Sequence, residues 1–279
     1  MPIMGVGTWE MKDRSILEAV LDTALQSGYR FIDTAQSYGN HAMIRDSLAV
    51  LLPRYGLSRQ DIFITSKLST RNQGSGKAYN AGIQTLDELG VEYLDLFLIH
   101  FPGTSGVDAS DPMNATLRTE SWKDLEKLKD EGKIKAIGVS NYMANHLTEM
   151  QSYARVMPAV NQCEFHPHRY PLATLEKCQE FGVHFQAYSS LGTAHHKQKL
   201  FDLPEVIALS KKYNCSKAQL LLAWAVNQGI SVLPKTTNPL HVRDNLKALE
   251  IHMDTADIES LKMPNSERGI YCWDPTKVI

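Results

Sequence analysis

The sequence predicts a single α/β domain, a (β/α)8 barrel spanning residues 1–279. Three observations support this fold class. Eight short apolar runs alternate with amphipathic stretches along the chain. Glycines follow several of the amphipathic stretches, as they do at helix C-termini. The composition, 43% hydrophobic and 22% charged over 279 residues, provides enough apolar material for one large core.

The eight predicted strands are short apolar runs bounded by turn residues. In chain order they cover residues 3–6, 29–32, 62–66, 94–99, 136–139, 159–162, 184–187 and 230–233. Such runs are ambiguous with buried helical segments, but their length and their flanking residues favour strands.

The predicted helices lie between these strands. They cover residues 15–27, 42–51, 79–89, 120–130, 144–153, 172–181, 205–212 with 217–227, and 240–249. Ser216 and Gln219 have the spacing of a capping box, which predicts a helix start at this point. A doubly wound open sheet is the alternative fold. It would typically place G-x-G-x-x-G after its first strand, and the segment from Gly5 to Gly7 has no third glycine, so the barrel is favoured.

Charge and cysteine content exclude several classes of function. A net charge of -2 argues against nucleic acid as a main partner, because binding to phosphates needs clustered basic residues. No stretch approaches the roughly 20 apolar residues of a membrane span, and the N-terminal residues do not resemble a secretory signal. The four cysteines lack a C-x-x-C pair, which indicates free thiols. We therefore predict a cytoplasmic protein with no metal, membrane or nucleic-acid partner.

Four side chains capable of acid–base chemistry follow three consecutive predicted strands. Asp33 ends the second, with Tyr38 in the loop after it; Lys67 ends the third and His100 the fourth. Each alone has an ordinary explanation: an ion-pair partner, a packing residue, a solvated amine or a near-buried imidazole. Barrel strands bring their C-terminal ends to one mouth, where barrel active sites lie. Together the four residues predict a catalytic site.

With these residues in place, the chain resembles the aldo-keto reductase family. The matching segments occur in family order at residues 28–40, 64–67, 95–100, 135–142, 161–164 and 232–235. The resemblance runs from Gly5 to Trp273 and so covers essentially the whole chain. The compact, short-looped pattern is similar to the branch that contains diketogluconate reductases, glyoxal reductases and prostaglandin F synthase-like enzymes.

The resemblance implies NADPH-dependent reduction of a small-molecule aldehyde or ketone, with Tyr38 as the proton donor. A free phenol has a pKa near ~10, and we expect the ammonium of Lys67 to lower it. Asp33 would keep Lys67 charged and in place. His100, neutral, would orient the substrate oxygen beside Tyr38.

The resemblance also implies that the dinucleotide lies across the barrel mouth. Ser140, Asn141 and Gln162 would anchor the nicotinamide amide, and Tyr188 would stack on its ring. The other implied cofactor contacts are Gly7, Thr8 and Asp33 near the first strands, Ser189 and Leu191 on the pyrophosphate side, and Pro234, Lys235, Thr236, Thr237, His241, Asp244 and Asn245 at the adenine end.

The sequence departs from the family pattern at His241, where relatives with strong NADPH preference usually place an arginine. Arg243, two residues further on, belongs to another face of the predicted helix. Loss of a bidentate guanidinium weakens phosphate recognition. Because Lys235 is retained, NADPH is the predicted cofactor, and NADH stays open as an alternative.

Trp9, Phe101 and Trp273 are predicted to form an aromatic wall of the substrate pocket, beside Tyr38 and His100. Three loops of moderate length would surround the entrance, at residues 102–119, 192–202 and 265–279. We expect an open pocket for small or medium carbonyl compounds. The sequence determines neither the physiological substrate nor the direction of flux, and we expect a monomer.

Two other functions are alternatives to carbonyl reduction. A cofactor-binding regulatory or structural barrel with negligible turnover is the main alternative, and the intact set of four ionisable residues argues against it. A Schiff-base lyase would need a neutral Lys67, whereas Asp33 favours the charged form. Relatives usually carry a β-hairpin before the segment with which this chain begins. We expect any consequence of this difference at the barrel floor, in stability and not in chemistry.

Overall fold

The computed structural model describes residues 1–263 and 269–279. Within these residues, eight parallel strands form one sheet in sequence order from β1 to β8. The strands are β1 Val6–Gly7, β2 Phe31–Asp33, β3 Phe63–Leu68, β4 Leu94–Ile99, β5 Ile134–Ser140, β6 Val160–Glu164, β7 His184–Tyr188 and β8 Ser231–Val232. Met4 forms a parallel bridge to Val232, which brings the first strand segment beside the last and closes the barrel. The predicted fold class is confirmed.

Helices connect the strands and cover the outside of the barrel. In the described residues they are α1 Arg14–Gln26, α2 His41–Arg54, α3 Lys77–Leu89, α4 Met113–Asp130, α5 Ala144–Met150, α6 Leu172–Glu180, α7 Lys197–Phe201, α8 Pro204–Lys212, α9 Lys217–Val226, α10 Pro239–Leu246 and α11 Thr255–Ser260. The capping box predicted at Ser216 is present, with reciprocal bonds to Gln219. Gly90 ends α3 in the left-handed conformation that glycine adopts without strain.

Several predicted boundaries were wrong. The first strand was predicted at residues 3–6, but the extended pairing lies at Val6–Gly7. The predicted loop at 102–119 ends early, because α4 begins at Met113. The face of α4 that packs inward carries Asn114 and Arg118, so its first two turns lack the apolar periodicity on which the prediction relied. The predicted loop at 192–202 contains the short helix α7, and α11 was not predicted.

Side chains alternate between the barrel interior and the layer beneath the helices. The interior contains Leu96, Leu98 and Val160, which form a small apolar cluster with Phe63. The outer layer is the main core, in which the rings of Phe165 and Trp224 stack with centroids 4.7 Å apart. The outer layer is apolar, whereas the barrel interior combines this small apolar cluster with buried polar side chains, among them Lys67 and Gln186.

Gly138 on β5 allows the barrel interior to pack closely. A Cβ atom at this position would lie 2.6 Å from the carbonyl oxygen of Val160 and 2.7 Å from Leu98 Cδ2. Both distances are shorter than carbon can tolerate, and the first involves a backbone atom that cannot easily move. Close packing here depends on the absence of a side chain.

The described helices include none that is long and apolar enough to cross a bilayer.

We expect Gly138→Ala to lower the free energy of unfolding by about 1–3 kcal/mol, the usual cost of overpacking a core. Urea unfolding followed by circular dichroism measures this change. Gly103→Ala is the matched control, because its Cβ would meet only side-chain atoms at 3.3 Å and beyond. An equal loss of unfolding free energy in the two variants would show that close packing at Gly138 is not the cause.

Candidate active site

Lys67 lies at the centre of the barrel mouth, and its ammonium bonds three oxygen atoms. Its Nζ lies 2.5 Å from Asp33 Oδ1, 3.1 Å from the carbonyl oxygen of Thr34 and 3.2 Å from the hydroxyl of Tyr38. Lys67 is fully buried and Asp33 nearly so. All three ammonium hydrogens therefore have acceptors, as a buried cation requires.

The backbone explains why these groups meet. β2 pairs with β3 in parallel, with Asp33 opposite Thr65, so Lys67 lies two residues further along the same inner face. A short 3-10 turn, Gln36–Tyr38, follows β2 and returns the chain over the mouth. Tyr38 thereby comes back above the residues at the strand ends.

The charge state of Lys67 is set by competing effects. Burial lowers the pKa of Lys67, but the carboxylate of Asp33 and the hydroxyl of Tyr38 act in the opposite direction, and the pKa is raised overall. The amine is therefore protonated at neutral pH. A neutral lysine able to form a Schiff base is not what this environment favours.

The pKa of Tyr38 differs from the expectation. Burial raises it, the positive charge of Lys67 lowers it, and the net direction is upward. The predicted lowering by Lys67 is present as a contribution but is smaller than the effect of burial. At neutral pH the phenol is thus protonated, with an ammonium beside its oxygen.

His100 packs next to Tyr38, with ring centroids 5.9 Å apart and an edge-on orientation. Burial, and then the positive charge of Lys67, hold the pKa of His100 well below its usual range. The imidazole is therefore neutral at pH 7, as predicted. Its Nδ1 lies 3.4 Å from the hydroxyl of Ser37, a neighbour that the sequence analysis did not identify.

The four residues assigned to the nicotinamide end form one connected group. Asn141 Nδ2 donates to Ser140 Oγ at 3.1 Å, and Ser140 Oγ donates to the backbone oxygen of Gln162 at 2.8 Å. The hydroxyl of Tyr188 donates to Asn141 Oδ1 at 2.6 Å. Asn141 Nδ2 also donates to the backbone oxygen of His100 at 2.9 Å, which links this group to the catalytic candidates.

Two residues of the mouth have unusual backbone conformations. Asn141 and Ser189, directly after β5 and β7, have φ angles of 63° and 51°. Non-glycine residues seldom adopt positive φ, and such residues cluster at functional sites. Ser189 Oγ lies 3.4 Å from the sulfur of Cys272, and Leu191 is half-buried against the core.

Gly7 and Thr8 lie beside Asp33. The backbone N–H and the hydroxyl of Thr8 both donate to the carbonyl oxygen of Asp33, at 3.0 and 2.9 Å. The N–H of Gly7 donates to the carbonyl oxygen of Pro234 at 3.2 Å. These bonds join the β1 end to the segment that leads to the predicted adenine end.

The residues predicted at the adenine end lie on the rim formed by the loop after β8 and by α10. Thr236 Oγ1 is 3.2 Å from His241 Nδ1, and Lys235 is exposed beside them. Thr237 and Asp244 are also exposed, whereas Asn245 is buried.

Arg243 points away from this rim. Its guanidinium donates to Gln26 Oε1 on α1 at 2.6 Å. The structure therefore places Arg243 on another face of α10, as the helical spacing predicted.

Two of the three aromatic residues assigned to the substrate pocket pack together. Trp273 lies 5.1 Å from His100 and 5.6 Å from Phe101, measured between ring centroids. Trp9 is 49% exposed and stacks on neither ring. Of the predicted loop at 265–279, residues 265–268 lie outside the described part of the chain.

Glu164, a buried carboxylate at the end of β6, was not predicted from the sequence as a site residue. It accepts from the backbone N–H groups of Tyr271 and Cys272, at 2.9 and 3.4 Å, and lies 3.0 Å from His166 Nε2. It thus holds the C-terminal segment just before Trp273. Its position two residues after Gln162, on the same face of the strand, was the available signal.

The ring of Tyr271 is held between two imidazoles from different loops. Its centroid lies 4.6 Å from that of His166 and 4.3 Å from that of His196, with nearly parallel planes in both cases. The loop after β6, the loop after β7 and the C-terminal segment therefore pack together on one side of the mouth.

Comparison with known proteins gives consistent matches over most of the chain. The family model described as "Aldo/keto reductase family" matches residues 3–263. An uncharacterized oxidoreductase of Bacillus subtilis, YtbE, is 34% identical over 265 residues, covering 95% of this chain and 89% of the relative. An NAD(P)H-dependent D-xylose reductase of Pyricularia oryzae is 32% identical, covering 94% and 88%.

A solved structure agrees with these matches. It is that of MGS-M4, an aldo-keto reductase enzyme from a Medee basin deep-sea metagenome library. It superimposes with a TM-score of 0.86 at 31% identity, covering 98% of this chain and 94% of that one.

We expect the buried pair of Asp33 and Lys67 to show strong energetic coupling. Removal of one partner of a buried pair costs about 3–5 kcal/mol, because the other charge stays buried without its partner. Asp33→Asn and Lys67→Met should each destabilise the protein by that amount, and the double variant by much less than the sum. Urea unfolding of the four proteins measures the coupling. Additive losses would show that the pair is not coupled.

Proposed function

The chain belongs to the aldo/keto reductase family and is an NAD(P)H-dependent oxidoreductase, and on this premise we propose that it reduces aldehydes and ketones with NADPH, with Tyr38 as proton donor. The observation that carries the proposal is the bond of 3.2 Å between the Tyr38 hydroxyl and the ammonium of Lys67. A phenol beside a buried ammonium has a proton to give and a cation to stabilise the phenolate that forms.

Tyr38 would transfer its proton to the carbonyl oxygen as that oxygen becomes negative. Its pKa is raised by burial, so the phenol holds this proton at neutral pH. A general acid must be protonated before the step, and its conjugate base must be stabilised after it. The environment of Tyr38 meets the first requirement through burial and the second through Lys67.

Lys67 would act through its positive charge and would not exchange its own proton. Asp33 Oδ1, at 2.5 Å, keeps the amine protonated and holds it towards Tyr38. When Tyr38 becomes a phenolate, the ammonium at 3.2 Å offsets the new negative charge. Asp33 is thus a positioning residue in this proposal.

His100 would bind the carbonyl oxygen of the substrate as a neutral hydrogen-bond donor. Its low pKa leaves one N–H on the ring and no charge. Ring packing against Tyr38 and Trp273 limits its orientation. Two donors aimed at one oxygen stabilise developing negative charge and require no positive charge on the imidazole.

The residues at the mouth fit a nicotinamide dinucleotide. When bound, its reduced ring supplies the hydride for the carbonyl carbon. Ser140, Asn141 and Gln162 carry amide and hydroxyl groups suited to a carboxamide, and they already form one ordered group. Tyr188, tied to Asn141, would provide an aromatic surface for the ring.

At the predicted adenine end, Lys235, Thr236 and His241 support NADPH as the cofactor. Lys235 is exposed, and its ammonium could pair with a 2′-phosphate. His241 lies within hydrogen-bonding distance of Thr236 but lacks the fork of an arginine. We infer a modest preference for NADPH, with NADH as a second cofactor.

A cytoplasmic location and a monomeric state stay predictions. The alternative of a barrel with negligible turnover gains no support from the geometry. Lys67 bonds both Asp33 and Tyr38, and the ring of His100 packs against that of Tyr38.

We expect Tyr38→Phe to retain NADPH binding and to lose at least about 100-fold in kcat, the size of a typical general-acid contribution. The assay follows NADPH oxidation with methylglyoxal or 4-nitrobenzaldehyde. NADPH fluorescence quenching measures binding. Tyr55→Phe is the matched control, because it removes a phenol hydroxyl that bonds Asp22 on α1, away from Lys67 and His100. A Tyr38→Phe enzyme as active as wild type would remove Tyr38 from this role.

We expect His241→Arg to tighten NADPH about tenfold and to leave NADH affinity nearly unchanged, because a guanidinium bonds a phosphate bidentately and NADH has no 2′-phosphate. Lys235→Met should weaken the binding of NADPH and leave the binding of NADH unchanged. Dissociation constants of the wild type and the two variants for NADPH and for NADH measure these changes. Equal effects on the two cofactors would show that this rim does not contact the 2′-phosphate.

A further inference from the structure

One side of the barrel interior is polar, although barrels of this kind are usually filled with branched apolar side chains. Gln162, Gln186 and Ser231 are each fully or almost fully buried. The strand register places Gln162 opposite Gln186, and Gln186 opposite Ser231, so the three lie side by side at one level. Buried amides without partners are costly, so their bonding pattern needs an explanation.

Both amide hydrogens of Gln162 are used inside the barrel. Its Nε2 donates to Asp33 Oδ2 at 2.8 Å and to Gln186 Oε1 at 2.8 Å. An amide nitrogen carries two hydrogens, so only the carbonyl oxygen of the Gln162 side chain is left for a ligand. The orientation of this amide decides whether a ligand at the mouth meets a donor or an acceptor.

Gln186 is held in turn by groups deeper in the barrel. Its Nε2 donates to Ser231 Oγ at 3.1 Å and lies 3.5 Å from the sulfur of Met1. Ser231 Oγ lies 3.0 Å from His184 Nε2. Ser231 Oγ accepts from Gln186 Nε2, so the amide nitrogen of Gln186 faces Ser231. The carbonyl oxygen of Gln186 is thereby turned towards Gln162.

We propose that Gln186 is a positioning residue, which fixes the side-chain amide of Gln162 with its hydrogens inside the barrel and its oxygen available to the carboxamide N–H of the nicotinamide. The inference rests on the proposed function. Gln186 touches neither Lys67 nor Tyr38 and acts only through Gln162.

A reversed amide at Gln162 would bring its oxygen against two acceptors. One is Asp33 Oδ2 and the other is Gln186 Oε1, each at 2.8 Å in the present arrangement. Repulsion from the carboxylate of Asp33 already disfavours the reversed amide, and repulsion from the amide oxygen of Gln186 disfavours it further. The second contact also keeps Gln162 beside Asp33, whose other oxygen holds Lys67.

The test is Gln186→Met, which keeps the length of the side chain and removes its polar atoms. We expect the dissociation constant for NADPH to rise about fivefold, while that for 2′,5′-ADP, which has no nicotinamide, stays unchanged. We also expect kcat to fall about tenfold, which corresponds to roughly 1.4 kcal/mol. NADPH fluorescence and calorimetry with 2′,5′-ADP provide readouts that do not depend on turnover.

Thr65→Val is the matched control inside the same barrel. Thr65 is buried on β3, and its hydroxyl has no hydrogen-bond partner within the described residues, so its loss should leave binding and kcat unchanged. Gln186→Glu should restore binding at pH 6, because a protonated glutamic acid also offers one acceptor and one donor. Burial keeps such an acid neutral.

The outcomes separate the two proposals. Equal weakening of NADPH and 2′,5′-ADP by Gln186→Met would indicate general damage to the barrel and would overturn the positioning role. Unchanged NADPH binding in Gln186→Met would also overturn it. A wild-type protein that binds NADPH but reduces none of the carbonyl compounds would refute the proposed activity while the binding comparison still tests Gln186.

Discussion

The structure of the site depends on one buried ion pair, that of Lys67 with Asp33. A buried pair seldom adds net stability, because desolvation of the two charges offsets most of their attraction. Stability alone therefore does not account for the pair, and its contact with the Tyr38 hydroxyl points to chemistry. The ammonium has three hydrogens and three oxygen acceptors, and one of these is the hydroxyl of Tyr38. The adjacent, parallel strands β2 and β3 are what bring the two charges together.

Asp33 connects this pair to the opposite side of the barrel. One carboxylate oxygen bonds Lys67 on β3 and the other bonds Gln162 on β6. Its backbone oxygen accepts from Thr8 after β1. A single residue thus joins three distant parts of the chain, which a barrel can do because all its strands surround one axis. An open sheet would leave β2 and β6 too far apart.

The sequence was sufficient for the fold class, for the eight strands and for the location of the four ionisable residues at their ends. It was less informative wherever a polar residue faces inward. Asn114 and Arg118 concealed the start of α4: Asn114 is buried with partners in the preceding loop, and Arg118 with the distant backbone oxygen of Ile279. Glu164 and Gln186 were overlooked for the same reason: the sequence shows polarity, and only the structure shows which partner compensates for it.

The direction of the Tyr38 pKa was also beyond the sequence, since it depends on the balance of two large effects. A phenolate 3.2 Å from an ammonium gains roughly 5 kcal/mol at an effective dielectric constant of about 20. The family resemblance implied this attraction. Burial opposes it and is larger, so the phenol stays protonated. With His100 neutral, the resting site then holds one positive and one negative charge, those of Lys67 and Asp33. Transfer of the Tyr38 proton would leave a phenolate beside the ammonium of Lys67. The same burial that keeps the phenol protonated at rest would favour the return of a proton to Tyr38 before the next cycle.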